Sequence, residues 1–384
     1  MAHRILIVVR RMGMGGVEQA TVTLANAMAA EGHQVELLVL KGEPLLTPDD
    51  AVTVHRRDLD REARRTPAGL FLYMMGRTLL RLLFRGSGFA WHGPAIARRL
   101  DNFVAGQEKG ASPYDLILVR GQGAYELLWD ADDPRIWQMV ESVTGHHKGR
   151  RRETSRQTRR LYAKKKVVCV SEGIRHGLEE HLEQAGITAA EIRVIHNAVP
   201  LDRVRQLSQA SIEGLPDKPY LVHVARLVPE KNQALLIDAF AEARAKGLDL
   251  PLVIVGDGSE RPRLEQQAQA LGVADHVLFV GQQANPYPWM ARASALVLSS
   301  RFEALGLVLI EALALGTQCV ATDAPGGIRE VLIEEQARLI TDQDPESLAS
   351  AMLAAVSNPI LVKPDWAERF SEAYILPQFL KLAD

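Results

Sequence analysis

The sequence contains almost no cysteine and no long uncharged apolar run. Its two cysteines among 384 residues, Cys169 and Cys319, lie inside apolar strand-like runs. This argues against a disulfide framework and predicts buried free thiols, which suit a reducing cytoplasm. No stretch reaches the roughly 18 uncharged apolar residues that a membrane-spanning helix needs. The first residues, MAHRILIVV, predict a buried strand rather than a signal peptide, because a glycine-rich turn follows directly. We therefore expect a cytoplasmic protein without a spanning helix.

Aromatic residues make up only 5% of the chain, and the net charge of −2 is small. That small charge conceals an asymmetry. Residues 1–166 contain 27 Lys and Arg against 18 Asp and Glu, whereas the rest contains 18 against 29. A basic amino-terminal half is typical of proteins with an anionic partner, such as a phospholipid surface or a phosphate-bearing acceptor. A nucleic acid is not expected, because neither aromatic interleaving nor a known nucleic-acid motif accompanies the charge.

Two segments of this basic half are candidates for contact with a membrane. Residues 146–166 hold ten Lys or Arg and a single acid, so they form either a solvated face or a patch for anionic lipid. In residues 68–86, arginine recurs every four positions at Arg77, Arg81 and Arg85, beside a broad apolar face. That pattern indicates either a helix packed on its own domain or an interfacial helix. We expect peripheral association with the inner face of the cytoplasmic membrane.

Apolar strands alternate with helices along the chain, from ILIVV (5–9) through IWQMV (136–140) to QCVATD (318–323). Continuous apolar strands with helices between them predict parallel sheets covered on both faces. The pattern restarts at YLVHVARL (220–227), after a polar linker near 200–215. The predicted fold is therefore α/β, with two doubly wound Rossmann-like domains facing a central cleft. The expected boundaries are 1–200 for the first domain, 201–365 for the second, and 366–384 for a C-terminal helix that crosses back to the first.

The most informative segment is VLSSRFEALGLVLIEALALG (297–316), in which a strand, a loop and an apolar helix follow one another. In a parallel sheet this order places Glu303 at the carboxyl edge, where open α/β folds bind ligands. Glu311 lies about two turns into the helix and can face the same crevice. An ionised carboxylate among apolar neighbours is costly to bury without a partner. A ligand rich in hydroxyls, such as a sugar nucleotide, would be that partner.

A pair of basic residues follows another strand of the same domain. In HVARLVPEKN (223–232), Arg226 and Lys231 stand between a strand and a helix, and therefore at the same sheet edge. The donor fork of Arg and the compact charge of Lys suit a diphosphate, although each residue is also typical of a solvated surface.

Three glycine-containing loops follow strands, and the first two admit two interpretations each. The turn at residues 13–16 either is a tight connection or brings backbone N–H groups to an anionic ligand, and Glu18 stands where the dinucleotide fingerprint has its third glycine. In VGDG, Asp257 is either a helix cap or a ligand contact. Gly281 precedes a Pro-rich loop, NPYPW, that could hold a nucleobase edge through backbone groups.

Taken together, these motifs resemble those of the retaining glycosyltransferases of family 4, which have the two-domain GT-B fold. The resemblance covers most of the chain, is strongest from about 220 to 331 and is weakest between about 42 and 165. As a set, in this order and spacing, the motifs are specific. The matching segments are GMGGVE, VCVSEGIR (168–175), VIHNAVPLD (194–202), ARLVPEKN, GDG, FVGQ, FEALGLVLIEALALG and APGGIREV (324–331).

The resemblance implies a role for each matching residue. Arg226 and Lys231 would hold the donor diphosphate, and with Glu303 they form the expected catalytic group. Glu311 would grip the ribose hydroxyls, and Glu303 would face the transferred sugar. The other implied donor-binding positions are the amides of Leu305, Gly306 and Leu307, the turns at Gly256 and Gly281, and the loop at Gly15 and Gly16 that closes over the donor.

Two departures from the family pattern concern the acceptor side. The family usually has Asn-Gly-Val-Asp where this chain has Asn-Ala-Val-Pro at 197–200. Many members also carry a histidine at the end of a central strand of the first domain. Arg120, Glu141 and the pair His146 and His147 are the candidates for its place, and the sequence does not choose among them.

The resemblance implies retaining transfer of a sugar from a UDP- or GDP-sugar to a lipid-linked, lipopolysaccharide or polysaccharide acceptor. No metal or other cofactor is expected, because the two Asp-x-Asp sequences, 130–132 and 342–344, lie in polar loops. Two alternatives remain open, a sugar-nucleotide epimerase of the same fold and a non-catalytic glycan- or polyanion-binding protein. Conversion of the donor without an acceptor would favour the first, and binding without turnover would favour the second.

Overall fold

The chain divides into two compact units. The computed structural model describes residues 2–13, 15–77, 93–142, 155–216 and 218–384. Unit 1 comprises Met1–Ala198 together with Ile375–Asp384, and unit 2 comprises Val199–Tyr374.

Unit 1 is built on a seven-stranded parallel sheet. The strands in chain order are β1 Arg4–Val9, β2 Gln34–Val39, β3 Thr53–Arg56, β4 Leu116–Arg120, β5 Ile136–Val140, β6 Lys166–Cys169 and β7 Glu191–Val194. Their order in the sheet is β3-β2-β1-β4-β5-β6-β7. Every residue of β1, β4 and β5 is buried, so both faces of the central sheet are covered, as a doubly wound fold requires. The helices are α1 Gly16–Ala30, α2 Leu59–Arg64, α3 Pro67–Arg77, α4 Gly93–Glu108, α5 Gln122–Leu127, α6 Ser155–Tyr162 and α7 Glu172–Ala185.

Unit 2 is built on a six-stranded parallel sheet. The strands are β8 Leu221–Val224, β9 Leu252–Val255, β10 Val277–Gly281, β11 Ala295–Leu298, β12 Cys319–Thr322 and β13 Ile340–Thr341. Their order is β10-β9-β8-β11-β12-β13, with every pairing parallel. The helices are α8 Leu201–Ser208, α9 Gln233–Ala245, α10 Arg261–Ala270, α11 Tyr287–Ala291, α12 Leu307–Ala314, α13 Ile328–Val331, α14 Pro345–Ser357, α15 Asp365–Glu368 and α16 Glu372–Leu380, the last of which runs on into unit 1.

The predicted fold class is confirmed, because both sheets are parallel and doubly wound. β5 has the bounds that the apolar run IWQMV predicts, and the other predicted strands agree with the structure to within a few residues at each end. β13 was not predicted, because its two residues are too short for a periodic pattern. Of the two interpretations of Asp257, the helix cap is wrong. Helix α10 begins four residues later, at Arg261, with Glu260 at its N-cap position.

The thiols of Cys169 and Cys319 are free and fully buried, as predicted, and burial raises the pKa of the Cys169 thiol to about 12. Among the helices within the described ranges, none combines the length and apolar character needed to cross a membrane. Residues 78–92 and 143–154 lie outside those ranges. The predictions for Arg81, Arg85, His146 and His147 therefore rest on the sequence.

Candidate functional site

The carboxyl ends of five neighbouring strands, β10, β9, β8, β11 and β12, carry the segments that the sequence singled out. Because these strands are parallel neighbours, the loops that follow them lie along one edge of the unit 2 sheet. We call this edge the carboxyl-edge site. It consists of the loops at 225–232, 256–258, 281, 299–307 and 324–327.

Lys231 and Glu303, predicted to contact different parts of one ligand, contact each other. The Lys231 ammonium donates a hydrogen bond to Glu303 Oε1 and forms an ion pair with that carboxylate. Ser300 Oγ donates to the same oxygen at 2.7 Å. Glu303 is buried, and the Lys231 side chain is 24% exposed. A close ion pair that is largely removed from water interacts strongly, and either partner is costly to leave alone.

Arg226 projects from a backbone that is fixed by the neighbouring GDG loop. Leu227 N donates to Asp257 O at 2.9 Å, and Glu260 N donates to Leu227 O at 3.1 Å. Gly256 has a φ of +142°, and a Cβ there would lie 1.9 Å from the Ala225 carbonyl oxygen. Only glycine permits this approach. Gly256, predicted to bind the ligand, therefore also shapes the segment that carries Arg226, whose own side chain is exposed.

Helix α12 points its amino end at the same edge. It begins at Leu307, and its N-cap is Gly306, with a φ of +83° and no side-chain cap. The N–H groups of a first helical turn have no partner within the helix, and the helix dipole adds positive potential there. The amides of Leu305, Gly306 and Leu307 therefore lie where an anionic group would be stabilised. The Leu305 side chain is buried and anchors the turn.

The loop that carries Glu303 is tied to the loop after β12 through backbone groups. Glu303 N donates to Pro325 O at 3.1 Å, and Gly327 N donates to Glu303 O at 3.0 Å. A Cβ on Gly326 would lie 1.8 Å from the Glu303 carbonyl oxygen. The glycines of APGGIREV therefore set the position of the Glu303 backbone. Gly281, at the end of β10, accepts a hydrogen bond from Gly256 N at 2.8 Å.

Glu311 contacts Tyr287 rather than the Lys231–Glu303 pair. Tyr287 Oη donates to Glu311 Oε1 at 3.3 Å. Burial raises the pKa of the Glu311 carboxyl to about 7, and the hydrogen bond from Tyr287 lowers it by a smaller amount. Burial and the neighbouring Glu311 also raise the pKa of Tyr287. One neutral donor thus offsets only part of the cost of burying the charged carboxylate, which could accept further hydrogen bonds from a ligand.

Two acceptor-side candidates in unit 1 meet at the ends of β4 and β5. Arg120 Nη2 donates to Glu141 Oε1 at 2.5 Å and to Asn197 Oδ1 at 2.7 Å, and Nη1 donates to Ala20 O at 3.1 Å. Arg120 is only 1% exposed, so the cluster joins α1 to the sheet edge. Asn197 belongs to the Asn-Ala-Val-Pro segment, in which the chain departs from the family pattern.

The glycine turn before α1 contains Gly15 and Gly16. Helix α1 begins at Gly16, and Gln19 N donates to Gly15 O at 3.0 Å. The Glu18 carboxylate lies over Gly15, because a Cβ added to Gly15 would be 2.4 Å from Glu18 Oε2. This carboxylate stands close to the position that an anionic ligand would need at this turn.

Sequence reasoning missed Ser300, Tyr287 and Gln233, although each contacts a predicted residue of the carboxyl-edge site. Ser300 and Tyr287 hydrogen-bond to Glu303 and Glu311, and Gln233 hydrogen-bonds to the Arg226 carbonyl. Their only signal in the sequence is a position just beyond a strand, within the Pro-rich loop or at the start of a helix. Serine, tyrosine and glutamine are common at such positions for many reasons.

Two family models match the chain. The model described as "Glycosyltransferase Family 4" matches residues 14–203, and the model "Glycosyl transferases group 1" matches residues 206–373. Together they cover most of both units.

Curated relatives are matched over part of their length. The N-acetylgalactosamine-N,N'-diacetylbacillosaminyl-diphospho-undecaprenol 4-alpha-N-acetylgalactosaminyltransferase of Campylobacter jejuni is 34% identical over 170 residues, which are 44% of this chain and 45% of that protein. The lipopolysaccharide core biosynthesis glycosyltransferase LpsE of Rhizobium meliloti is 33% identical over 209 residues, or 54% and 58%. The chain thus spans about half the length of these relatives.

Solved structures resemble the whole chain. HepE of Anabaena, crystallised with UDP and glucose, superposes with a TM-score of 0.69 at 19% identity, covering 99% of this chain and 98% of HepE. The lipopolysaccharide outer core galactosyltransferase WaaB, in its apo form, gives a TM-score of 0.65 at 18% identity, with coverage of 99% and 98%. At this identity the likeness shows the fold.

Proposed function

Because the chain belongs to the family 4 glycosyltransferases and has the GT-B fold, we propose that it transfers a sugar from a UDP- or GDP-sugar with retention of anomeric configuration. The acceptor in this proposal is a lipid-linked glycan, a lipopolysaccharide or a polysaccharide.

The observation that carries the proposal is the arrangement of charge at the carboxyl-edge site. The loops of one sheet edge carry three positive groups. These are Lys231, which contacts the buried carboxylate of Glu303, the amino end of α12, and the exposed Arg226. A nucleotide sugar offers a matching set of groups, with a diphosphate for the cations and amides and sugar hydroxyls for the carboxylates. Neither a simple anion nor a neutral sugar would satisfy both kinds of residue.

The chemistry follows from this charge distribution. Transfer weakens the bond between the anomeric carbon and the diphosphate oxygen, so negative charge grows on the departing diphosphate. Arg226, Lys231 and the α12 amides would stabilise that charge, and such a group is typically worth about 3 kcal/mol. In a same-face transfer the departing phosphate oxygen accepts the proton of the attacking hydroxyl. This step requires no protein base, and no metal is proposed.

The acceptor class is proposed from the names of the relatives and from the charge of unit 1. The Campylobacter jejuni relative is named for a diphospho-undecaprenol substrate, and the Rhizobium meliloti relative for lipopolysaccharide core biosynthesis. A phosphate-bearing lipid acceptor would suit the excess of basic residues in residues 1–166.

We further propose that unit 1 binds the anionic inner face of the cytoplasmic membrane. Helix α3 exposes Leu70, Phe71 and Met74, with 47%, 63% and 57% of their surface accessible. We expect the protein to co-sediment with phosphatidylglycerol vesicles at low salt and the triple variant Leu70→Ser, Phe71→Ser, Met74→Ser to lose most of that binding. Leu361→Ser, which removes an 89% exposed leucine of unit 2, is the control. Equal sedimentation with neutral phosphatidylcholine vesicles would contradict the proposal.

A thermal-shift panel of UDP- and GDP-sugars tests the donor site. We expect one nucleotide class to raise the Tm of the wild type by several degrees, since a ligand at 100 times its Kd adds about 2.7 kcal/mol to the free energy of unfolding. Arg226→Ala should lose most of that shift. Arg244→Ala, a matched change at the carboxyl end of α9 in the same unit, should keep it. Equal shifts in all three proteins would refute the diphosphate role of Arg226.

A further inference from the structure

The backbone carbonyl of Arg226 is held by a buried side chain. Gln233 is the first residue of α9 and is 1% exposed. Its Nε2 donates a hydrogen bond to Arg226 O at 2.9 Å and makes a second one to His223 Nε2 at 3.1 Å. Both amide hydrogens are thereby used. Both partners are hydrogen-bond acceptors, so the amide nitrogen of Gln233, and not its oxygen, must face them.

His223 anchors the other end of this contact. It lies in β8 and is fully buried, and its Nδ1 hydrogen-bonds to the Val297 carbonyl in β11 at 2.8 Å. That bond places the proton on Nδ1 and leaves Nε2 free to accept from Gln233. Burial lowers the pKa of His223 to about 4, so the ring stays neutral at physiological pH. A continuous chain of three hydrogen bonds therefore links β11, β8, α9 and the Arg226 carbonyl.

The other basic residue of this loop is held in a similar way. Ser299 Oγ, at the end of β11, donates to the Lys231 carbonyl at 3.0 Å. From the opposite side, the Asp257 carbonyl and the Glu260 N–H hold Leu227 by two backbone hydrogen bonds. The segment that carries Arg226 and Lys231 thus has its backbone held at three points, while the Arg226 side chain is left exposed. A charged group whose backbone is already fixed before a ligand binds loses less conformational entropy on binding.

We propose that His223 and Gln233 are positioning residues of the diphosphate site, which hold the Arg226 backbone so that its guanidinium meets the phosphates without rearrangement. This inference rests on the proposed function. It assigns a role to two polar residues that are each at most 1% exposed. It also explains why a neutral histidine and a glutamine occupy positions of the unit 2 core that apolar side chains would otherwise fill.

The test measures binding by calorimetry with three probes: UDP, GDP and inorganic pyrophosphate. Gln233→Met keeps the side-chain length and removes both donors, and His223→Phe keeps a ring and removes the acceptor. We expect Gln233→Met to raise the Kd of each probe that the wild type binds about tenfold, and His223→Phe to raise it about fivefold. The double variant should bind no more weakly than Gln233→Met, because both changes break the same chain.

Gln336→Met is the matched control. Gln336 is a fully buried glutamine of unit 2 that accepts a hydrogen bond from Cys319 N at 2.8 Å. Its replacement should lower the Tm about as much as Gln233→Met does and change the Kd less than twofold. Wild-type affinity in Gln233→Met or, if that variant does not fold, in His223→Phe would overturn the positioning role alone. A wild type that binds none of the three probes would overturn the proposed function as well.

Discussion

Replacing Lys231 with alanine is expected to lower kcat/KM for sugar transfer by about 100- to 1,000-fold, the usual effect of removing one group that stabilises charge in a transition state. Lys231 is the only cation that the structure places against Glu303 among the described residues. The change removes a positive charge that, in the proposed function, stabilises the departing diphosphate. It also leaves a buried carboxylate without its ion-pair partner, so the Tm should fall. Steady-state kinetics with the donor from the thermal-shift panel, well below the Tm of the variant, measures the effect on catalysis.

Lys246→Ala is the matched control, because it removes the same charge from an exposed position at the C-cap of α9. It should change kcat/KM less than twofold. Glu303→Gln provides a second comparison, because it frees Lys231 from its ion pair. That variant should bind the nucleoside diphosphate at least as tightly as the wild type and lose turnover of the sugar donor. A Lys231→Ala variant with the activity of Lys246→Ala would contradict the role of the lysine.

Glu311→Gln is expected to remove a pH-dependent step from the donor kinetics. In the free protein, partial burial disfavours the charged form of the Glu311 carboxyl and raises its pKa to about 7. The ionised form accepts hydrogen bonds from ribose hydroxyls more strongly than the neutral form. Wild-type kcat/KM should therefore rise with pH through about 7 and then level off. Glu311→Gln should be about 10- to 100-fold less active at pH 8 and lack the step. A wild-type profile that is flat between pH 6 and 8 would contradict the assignment.

The same group predicts a change in stability of the ligand-free protein. The pKa of Glu311 is raised from 4.5 to about 7 on folding, so between these pH values the folded state binds more protons than the unfolded state. The free energy of unfolding must therefore fall as the pH rises through this window. Urea unfolding at pH 5 and pH 8 measures the free energy of unfolding of the wild type and of Glu311→Gln. From pH 5 to pH 8 the wild type should lose on the order of 2 kcal/mol more than the variant, a value that already allows for the partial exposure of the carboxyl. Parallel losses in both proteins would exclude Glu311 as the source.

Strands are the most predictable elements, because a strand that is buried on both faces of a sheet needs a continuous run of apolar residues. IWQMV predicted β5 to the residue, and the order of strands and helices fixed the parallel sheets. The position of Glu303 and Lys231 at a sheet edge followed from that topology alone. The sequence does not predict the strand β13 or the start of α10. Neither a two-residue strand nor the glycine-containing loop before α10 leaves a periodic pattern.

Side-chain pairing at the carboxyl-edge site could not be predicted in the same way. Spacing along the chain places a residue at an edge but does not say which neighbour it faces. Lys231 is the last residue of a short 3-10 helix that ends at Asn232, which has a φ of +52°, and so short a turn leaves no periodic pattern in the sequence. The contact between Tyr287 and Glu311 joins helices α11 and α12, and the two residues are 24 positions apart. Such contacts follow from packing, which the sequence pattern does not encode locally.

A crystal structure with the nucleoside diphosphate of the stabilising donor class would decide whether the carboxyl-edge site of unit 2 is the donor site. We predict that both phosphates lie within hydrogen-bond distance of Arg226, Lys231 and the first-turn amides of α12, and that the ribose hydroxyls meet Glu311. Phosphates bound on another surface, with the Lys231–Glu303 pair and Arg226 left untouched, would contradict the proposed function.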